Sequence, residues 1–227
     1  MPIPMSKRRT LQLIFQTFYL TLSLVACVGS VGFFQMKFTG DFYTYFTNLC
    51  CYLCTGVMAA ELVQTARKLE NSYVSAVPVL RFITIPGLIV TFLVFNLLLA
   101  KDPARDPALN FQVECVLCHI VLPILYLLDW LVFYEHGRVR RTWALLAAAL
   151  PAAYLLFVFV HAALRHFDAS VMNYAGTDPV IYPYFFLNPD RVGAAGIALW
   201  SCGLLVAFVA IGFLLYLLDR LLGRFSK

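Results

Sequence analysis

Six long apolar runs, separated by short charged or proline-containing breaks, constrain this chain more than any other feature of its sequence. A helix needs roughly 20 apolar residues to cross the hydrocarbon core of a bilayer, and each run reaches that length. The runs lack the alternation of apolar and polar residues that is typical of membrane barrels. Because only a helix satisfies all its backbone polar groups within one segment, the sequence predicts an all-α integral membrane protein with six transmembrane helices. We place the predicted spans at residues 11–34, 42–65, 79–100, 112–134, 142–163 and 193–218.

The composition excludes a soluble fold. Apolar residues make up 62% of the 227 residues and charged residues only 13%, and the mean hydropathy is +0.81. Soluble domains average about a quarter charged residues, so this chain has too little polar surface to cover itself in water. Six spans, short loops and one longer outer loop between the fifth and sixth spans use the whole chain. We therefore predict a single six-helix membrane domain over residues 1–227.

Basic residues are distributed unequally between the two alternating sets of predicted loops. Twelve of the 17 Lys and Arg residues belong to the set that includes both termini, and five belong to the other set. The positive-inside rule then places both termini in the cytoplasm. The net charge of +5 follows from this asymmetry. The basic clusters are short and lie at helix ends, so we expect no nucleic-acid partner.

The N-terminal segment has features of a signal peptide. Basic residues 7–9 precede an apolar run, and residues 24–27 resemble a lipoprotein cleavage box. The apolar run continues to Phe34, however, whereas a lipoprotein turns polar after its cysteine. We therefore predict an uncleaved first transmembrane helix.

A haem-like motif, CVLCH at residues 115–119, lies in the fourth predicted span. It matches the attachment pattern of c-type haem, and His161 on the next span offers a second histidine for a b-type haem. The match is short, lies within an apolar span and occurs in a chain with seven cysteines, all inside predicted spans. We interpret the cysteines as free apolar fillers and predict no haem, no other cofactor and no metal site.

Polar side chains at membrane depth usually face a protein interior or a wet cavity. The predicted outer layer consists of Thr44, Thr47, Asn48, Asn96, Glu114, His119 and His161. The predicted inner layer consists of Gln12, Gln16, Glu61, Gln64, Arg81 and Asp129. At the helical rise, Thr47 and His119 lie at nearly the same depth, about 8 to 10 Å below the outer boundary, so the two side chains are able to meet. Pro123 frees a backbone carbonyl at or near His119 and favours a kink there.

Structural roles compete with functional ones for several of these residues. An Asp129 carboxylate paired with a loop arginine is an ordinary interfacial feature, and Asn48 and Asn96 suit hydrogen bonds across helices. His119 is the least easily assigned to structure, because an imidazole transfers protons near neutral pH. The loop at residues 165–192 is interpreted either as an aromatic interfacial anchor or as a lid over the outer polar layer.

Three short motifs resemble a known family: YFTN at residues 45–48, HIVLP at 119–123 and YPYF at 182–185. Together with the span count they resemble the androgen-induced-gene (ADTRP-like) membrane proteins, and most closely their bacterial six-span Pr-six-Pr relatives. Eukaryotic members hydrolyse fatty-acid esters of hydroxy fatty acids with a membrane-embedded threonine and histidine. The resemblance implies that Thr47 and His119 hold these roles, that the substrate is a membrane lipid and that the protein resides in a bacterial cell membrane.

The substrate or oxyanion contacts of such a hydrolase are expected from Asn48, Asn96, Glu114, His161, Tyr182 and Tyr184. Two other classes stay open at this point. One is a small transporter that uses the buried acids Glu61, Glu114 and Asp129. The other is a non-catalytic or haem-carrying membrane subunit.

Overall fold

A computed structural model describes residues 5–36, 41–67, 74–101, 106–167 and 181–225, and this part of the chain is helical without a β-strand. Six helices are long and apolar enough to cross a membrane, which confirms an all-α multi-pass membrane protein. The helices are α1 (Met5–Ser30), α2 (Phe46–Arg67), α3 (Pro78–Leu97), α4 (Val113–Phe133), α5 (Arg141–Leu146 and Ala149–Phe167) and α6 (Pro189–Phe225). Short 3₁₀ turns lie at Phe42–Thr44, Leu99–Lys101, Pro107–Phe111 and Phe185–Leu187.

The helix ends differ from the predicted spans because a helix does not stop where its sequence becomes polar. Helix α1 begins six residues before the predicted start and includes the basic cluster, and α6, which is kinked at Gly193, continues seven residues past its predicted end at residue 218. The opposite error occurs at α2, whose predicted start at residue 42 was wrong. Residues Phe42–Thr44 form a 3₁₀ turn, Tyr45 is extended, and the α-helix begins only at Phe46.

The first four helices form the main packed unit. Helix α1 contacts α2 and α4, while α3 contacts both α2 and α4, and their shared core includes Tyr19, Met58, Phe82 and Leu122. Helices α5 and α6 contact each other and lie against α3. Since six crossings return the chain to its starting side, Met5 and Phe225 lie at one end of the bundle, which we call the terminal end. The other end is called the loop end.

A buried ion pair joins α3 to α4 near the terminal end. Arg81 donates to the Asp129 carboxylate at 2.5 Å, and the two side chains are 1% and 0% exposed. The guanidinium also lies over the rings of Tyr126 and Tyr134, at 4.3 and 4.8 Å from their centroids. The expected pairing of Asp129 with a loop arginine was therefore wrong, because Arg81 lies inside α3.

Candidate active site

Two side chains from different helices, a hydroxyl and an imidazole, meet near the loop end. Thr47, in the first turn of α2, places its Oγ1 atom 3.3 Å from Nε2 of His119 on α4. The Thr47 side chain is 8% exposed. The depth predicted for Thr47 depended on the wrong helix start. Thr47 is buried instead because residues 181–188 fold over the N-terminal end of α2, with Phe186 and Leu187 buried.

The other ring nitrogen of His119 fixes its tautomer. Nδ1 lies 2.8 Å from the carbonyl oxygen of Cys115, one turn earlier in α4. A carbonyl oxygen only accepts hydrogen bonds, so Nδ1 carries a proton, and in the neutral ring Nε2 therefore keeps its lone pair. The ring also stacks on Phe95 of α3, with centroids 3.9 Å apart and planes 22° apart. His119 is therefore oriented on two sides, with its basic nitrogen facing the Thr47 hydroxyl.

His119 lies within a π-helical turn, Leu117–Val121. Pro123 follows this turn and has no N–H to donate to the carbonyl of His119. The N–H of Leu122 bonds the carbonyl of Leu117, five residues earlier. The irregularity that Pro123 predicted is present, as one π turn rather than a simple loss of one hydrogen bond. Such turns recur at functional sites because they reposition side chains on a helix.

Tyr184 contacts the Thr47–His119 pair from the segment that covers α2. Its hydroxyl is in hydrogen-bonding contact with both the side chain and the backbone of Thr47. Burial raises the pKa of Tyr184 to about 12, although hydrogen bonding with Thr47 opposes that shift. The Tyr184 hydroxyl is therefore protonated at neutral pH. The contacts of Tyr184 and the buried residues beside it favour the lid interpretation of this segment over a simple interfacial anchor.

A polar cavity of about 410 Å³ opens onto the Thr47–His119 pair. Helices α1 to α4 and the covering segment line it. Glu114 contributes a carboxylate, of which Oε1 accepts a hydrogen bond from Nε2 of Gln35 at 2.6 Å. Asn48 lines the same cavity and donates from Nδ2 to the carbonyl of Phe42 at 2.8 Å.

An apolar cleft also borders Thr47. It has a volume of about 60 Å³ and lies among α2, α3, α5, α6 and the covering segment. Thr47 and Tyr184 line both the cleft and the polar cavity. A further apolar recess of about 210 Å³ lies between α2 and α5 and shares Phe46 and Tyr154 with the cleft. Thr47 therefore borders both polar and apolar space.

Three predicted site residues lie elsewhere. Asn96 donates to the carbonyl of Phe92 in its own helix and does not line the cavity. His161 places Nε2 3.3 Å from the Tyr43 hydroxyl, away from His119. Tyr182 packs in the small core beneath the covering segment and is absent from the cavity lining.

The predicted role of the asparagines in helix–helix bonding was also wrong. Asn48 and Asn96 both donate to nearby main-chain carbonyls rather than across helices.

The buried acids do not form one site. Glu61 accepts hydrogen bonds from the Ser75 hydroxyl and the Ala76 N–H near the terminal end. Asp129 is paired with Arg81, and it lies fifteen residues, about 22 Å along a helix, from Glu114. The transport hypothesis built on these three acids therefore lacks a common chamber. Among the described residues, no group of three His, Cys, Asp or Glu side chains is arranged to hold a metal ion.

Sequence reasoning missed the groups that orient His119. Cys115 stands four residues before His119, and the helical repeat points to it, but its main-chain carbonyl has no sequence signal. Phe95 and Gln35 come from other helices, and nothing in their local sequence marks a contact with the site.

The chain matches no protein-family model, no curated protein and no solved structure. The fold and the site together define its class: a six-helix membrane protein with a buried threonine–histidine pair between a polar cavity and an apolar cleft.

Proposed function

We propose that this protein is an intramembrane hydrolase of long-chain fatty-acid esters, with Thr47 as nucleophile and His119 as general base. The contact between Thr47 Oγ1 and the unprotonated Nε2 of His119 carries the proposal. A hydroxyl becomes an effective nucleophile when a neighbouring base takes its proton, and a third group commonly orients that base. Here the carbonyl of Cys115 takes the orienting position.

The reaction has two halves. Thr47 Oγ1 attacks the acyl carbonyl carbon while its proton passes to Nε2 of His119, and a tetrahedral oxyanion forms. When the intermediate collapses, the alcohol leaves with that proton and the acyl group stays on Thr47. Water then attacks the acyl-threonine, with His119 again accepting a proton, and release of the fatty acid restores the hydroxyl of Thr47.

Tyr184 and the start of α2 supply positive polarity for the oxyanion. The hydroxyl of Tyr184 stays protonated at neutral pH and lies beside Thr47. The N-terminal end of a helix dipole also favours negative charge, and Thr47 lies in the first turn of α2. Donors of this kind stabilise a tetrahedral intermediate most effectively where water is excluded.

The surroundings of Thr47 suit a lipid substrate. An ester bond at Thr47 directs its acyl chain into the apolar cleft and on toward the recess between α2 and α5. The alcohol part then faces the polar cavity. If the positive-inside assignment holds, this site lies in the outer leaflet.

Covalent labelling tests the identity of the nucleophile. A fluorophosphonate with a long alkyl chain should label the purified protein on Thr47, as mapped by peptide mass spectrometry. Thr47→Ala should abolish labelling, while Thr47→Ser retains it. Thr44→Ala is the matched control, because Thr44 is buried nearby but its hydroxyl bonds the carbonyl of Asp41. Undiminished labelling of Thr47→Ala would refute the assignment.

A further inference from the structure

The carboxylate of Glu114 is held in the cavity wall with one oxygen unsatisfied. Oε1 accepts from Gln35, whereas Oε2 is buried and has no hydrogen-bond partner in the described part of the chain. Helix α1 passes so close that a Cβ built on Gly29 would lie 2.7 Å from Cβ of Glu114. Because Oε2 is buried, a ligand in the cavity does not touch it, and the carboxylate acts on such a ligand mainly through its negative charge.

The rest of the polar lining is uncharged. It combines hydroxyls and amides from Ser30, Tyr45, Asn48 and Gln112. Among the described lining residues there is no lysine or arginine to face an anionic ligand. Like charges repel strongly where solvent screening is weak, so a second carboxylate beside Glu114 is disfavoured. Hydroxyl groups, which donate as well as accept, suit this lining.

The position of Thr47 determines which space each end of the substrate occupies. Because Thr47 lines both spaces, the acyl chain occupies the apolar cleft and the alcohol part occupies the polar cavity with Glu114. The polar cavity therefore contacts and selects the alcohol part of the ester rather than the acyl chain.

We infer that the substrate is an ester without a negative charge whose alcohol part carries free hydroxyls, a glycerol monoester being the simplest, and that Glu114 discriminates against esters with a free carboxylate. The inference rests on the proposed hydrolase function and narrows its substrate class. It departs from the carboxylate-bearing esters that the family resemblance implies.

Matched substrates test the inference. We would measure kcat/KM for an oleoyl monoglyceride, for the oleoyl ester of a hydroxystearic acid, and for the methyl ester of that acid, which lacks only the negative charge. Wild type should favour the glycerol ester and the methyl ester over the free acid by about tenfold or more. Glu114→Gln should largely remove this preference by improving turnover of the free acid. Glu135→Gln, an exposed acid in the loop after α4, is the control and should keep it.

Equal turnover of the free acid and its methyl ester by wild type would overturn the inference, as would an unchanged ratio in Glu114→Gln. A preference for an ethanolamine head over glycerol would overturn the polyol assignment.

A binding measurement separates this inference from the hydrolase proposal. A long-chain monoalkyl glycerol ether, which cannot be hydrolysed, should raise the melting temperature of the protein in detergent more than an ether-linked alkoxy fatty acid does. That difference should disappear in Glu114→Gln. If it is found while no ester is turned over, the hydrolase proposal fails and the head-group inference stands. If the two ethers act alike while esters are hydrolysed, only the head-group inference fails.

Discussion

Asp129→Asn should destabilise the protein by about 3 kcal/mol. Removing one partner of a buried ion pair typically costs about 3–5 kcal/mol, because the other charge is left uncompensated away from water. Arg81 and Asp129 are 1% and 0% exposed, so solvent cannot replace the lost carboxylate. Glu61 lies within electrostatic range of Arg81 and offsets part of the loss, which places the expected value at the lower end of that range.

Reversible unfolding of the purified protein in mixed detergent micelles measures this change. Glu135→Gln is the matched control, because Glu135 and Arg138 form an exposed pair with side chains 45% and 60% exposed. Pairs of that kind contribute about 0–1 kcal/mol. The double variant Arg81→Met/Asp129→Leu should recover much of the loss, since it removes both charges together. Equal effects of Asp129→Asn and Glu135→Gln, or a double variant less stable than Asp129→Asn, would refute the reasoning.

Three further predictions concern the stability of the helix bundle and its orientation in the membrane. Burial lowers the pKa of His136, but its hydrogen bonds to Asp219 and to a main-chain carbonyl raise the pKa above its ordinary value. The free energy of folding that protonated His136 contributes should be fully present below about pH 6.5 and lost as pH rises through the raised pKa. The melting temperature should therefore fall as pH rises in wild type, and fall less in His136→Gln. Gly212→Ala should destabilise the protein by about 1–3 kcal/mol, because its Cβ would lie 2.7 Å from a backbone oxygen of α5. The control is Gly203→Ala, in open space on the same helix, which should be neutral or slightly stabilising in the same unfolding assay. A reporter that works only in the cytoplasm should be active when it is fused to the C-terminus, and a reporter that works only outside the cytoplasm should be inactive there. The reverse result would mean that the predicted orientation is wrong.

The sequence predicts the number and class of the helices well because bilayer thickness imposes a length that apolar runs reveal. It predicts helix ends poorly, since backbone hydrogen bonds rather than hydropathy decide them. The start of α2 is the main case: Phe42 begins the apolar run, but the 3₁₀ turn delays the α-helix until Phe46.

The contact between Thr47 and His119 was predictable, whereas the contacts that support it were not. The family resemblance points to these two residues, their similar predicted depth permits them to meet, and the structure brings them to 3.3 Å. The stacking of Phe95 on His119 and the pairing of His161 with Tyr43 depend on which helices are neighbours and how each is rotated. A single sequence carries no signal for either.

The central claim is the coupled action of Thr47 and His119, and steady-state hydrolysis of a long-chain fatty-acid ester tests it most directly. The purified wild type, Thr47→Ala, His119→Ala and the double variant would be compared in the same detergent, each shown to be folded by its melting curve. Each single variant should lose at least about a hundredfold in kcat, and the double variant should be little worse than either, because a nucleophile and its base act as a unit. A wild type that hydrolyses no lipid ester, or a Thr47→Ala variant that keeps the full rate, would contradict the account.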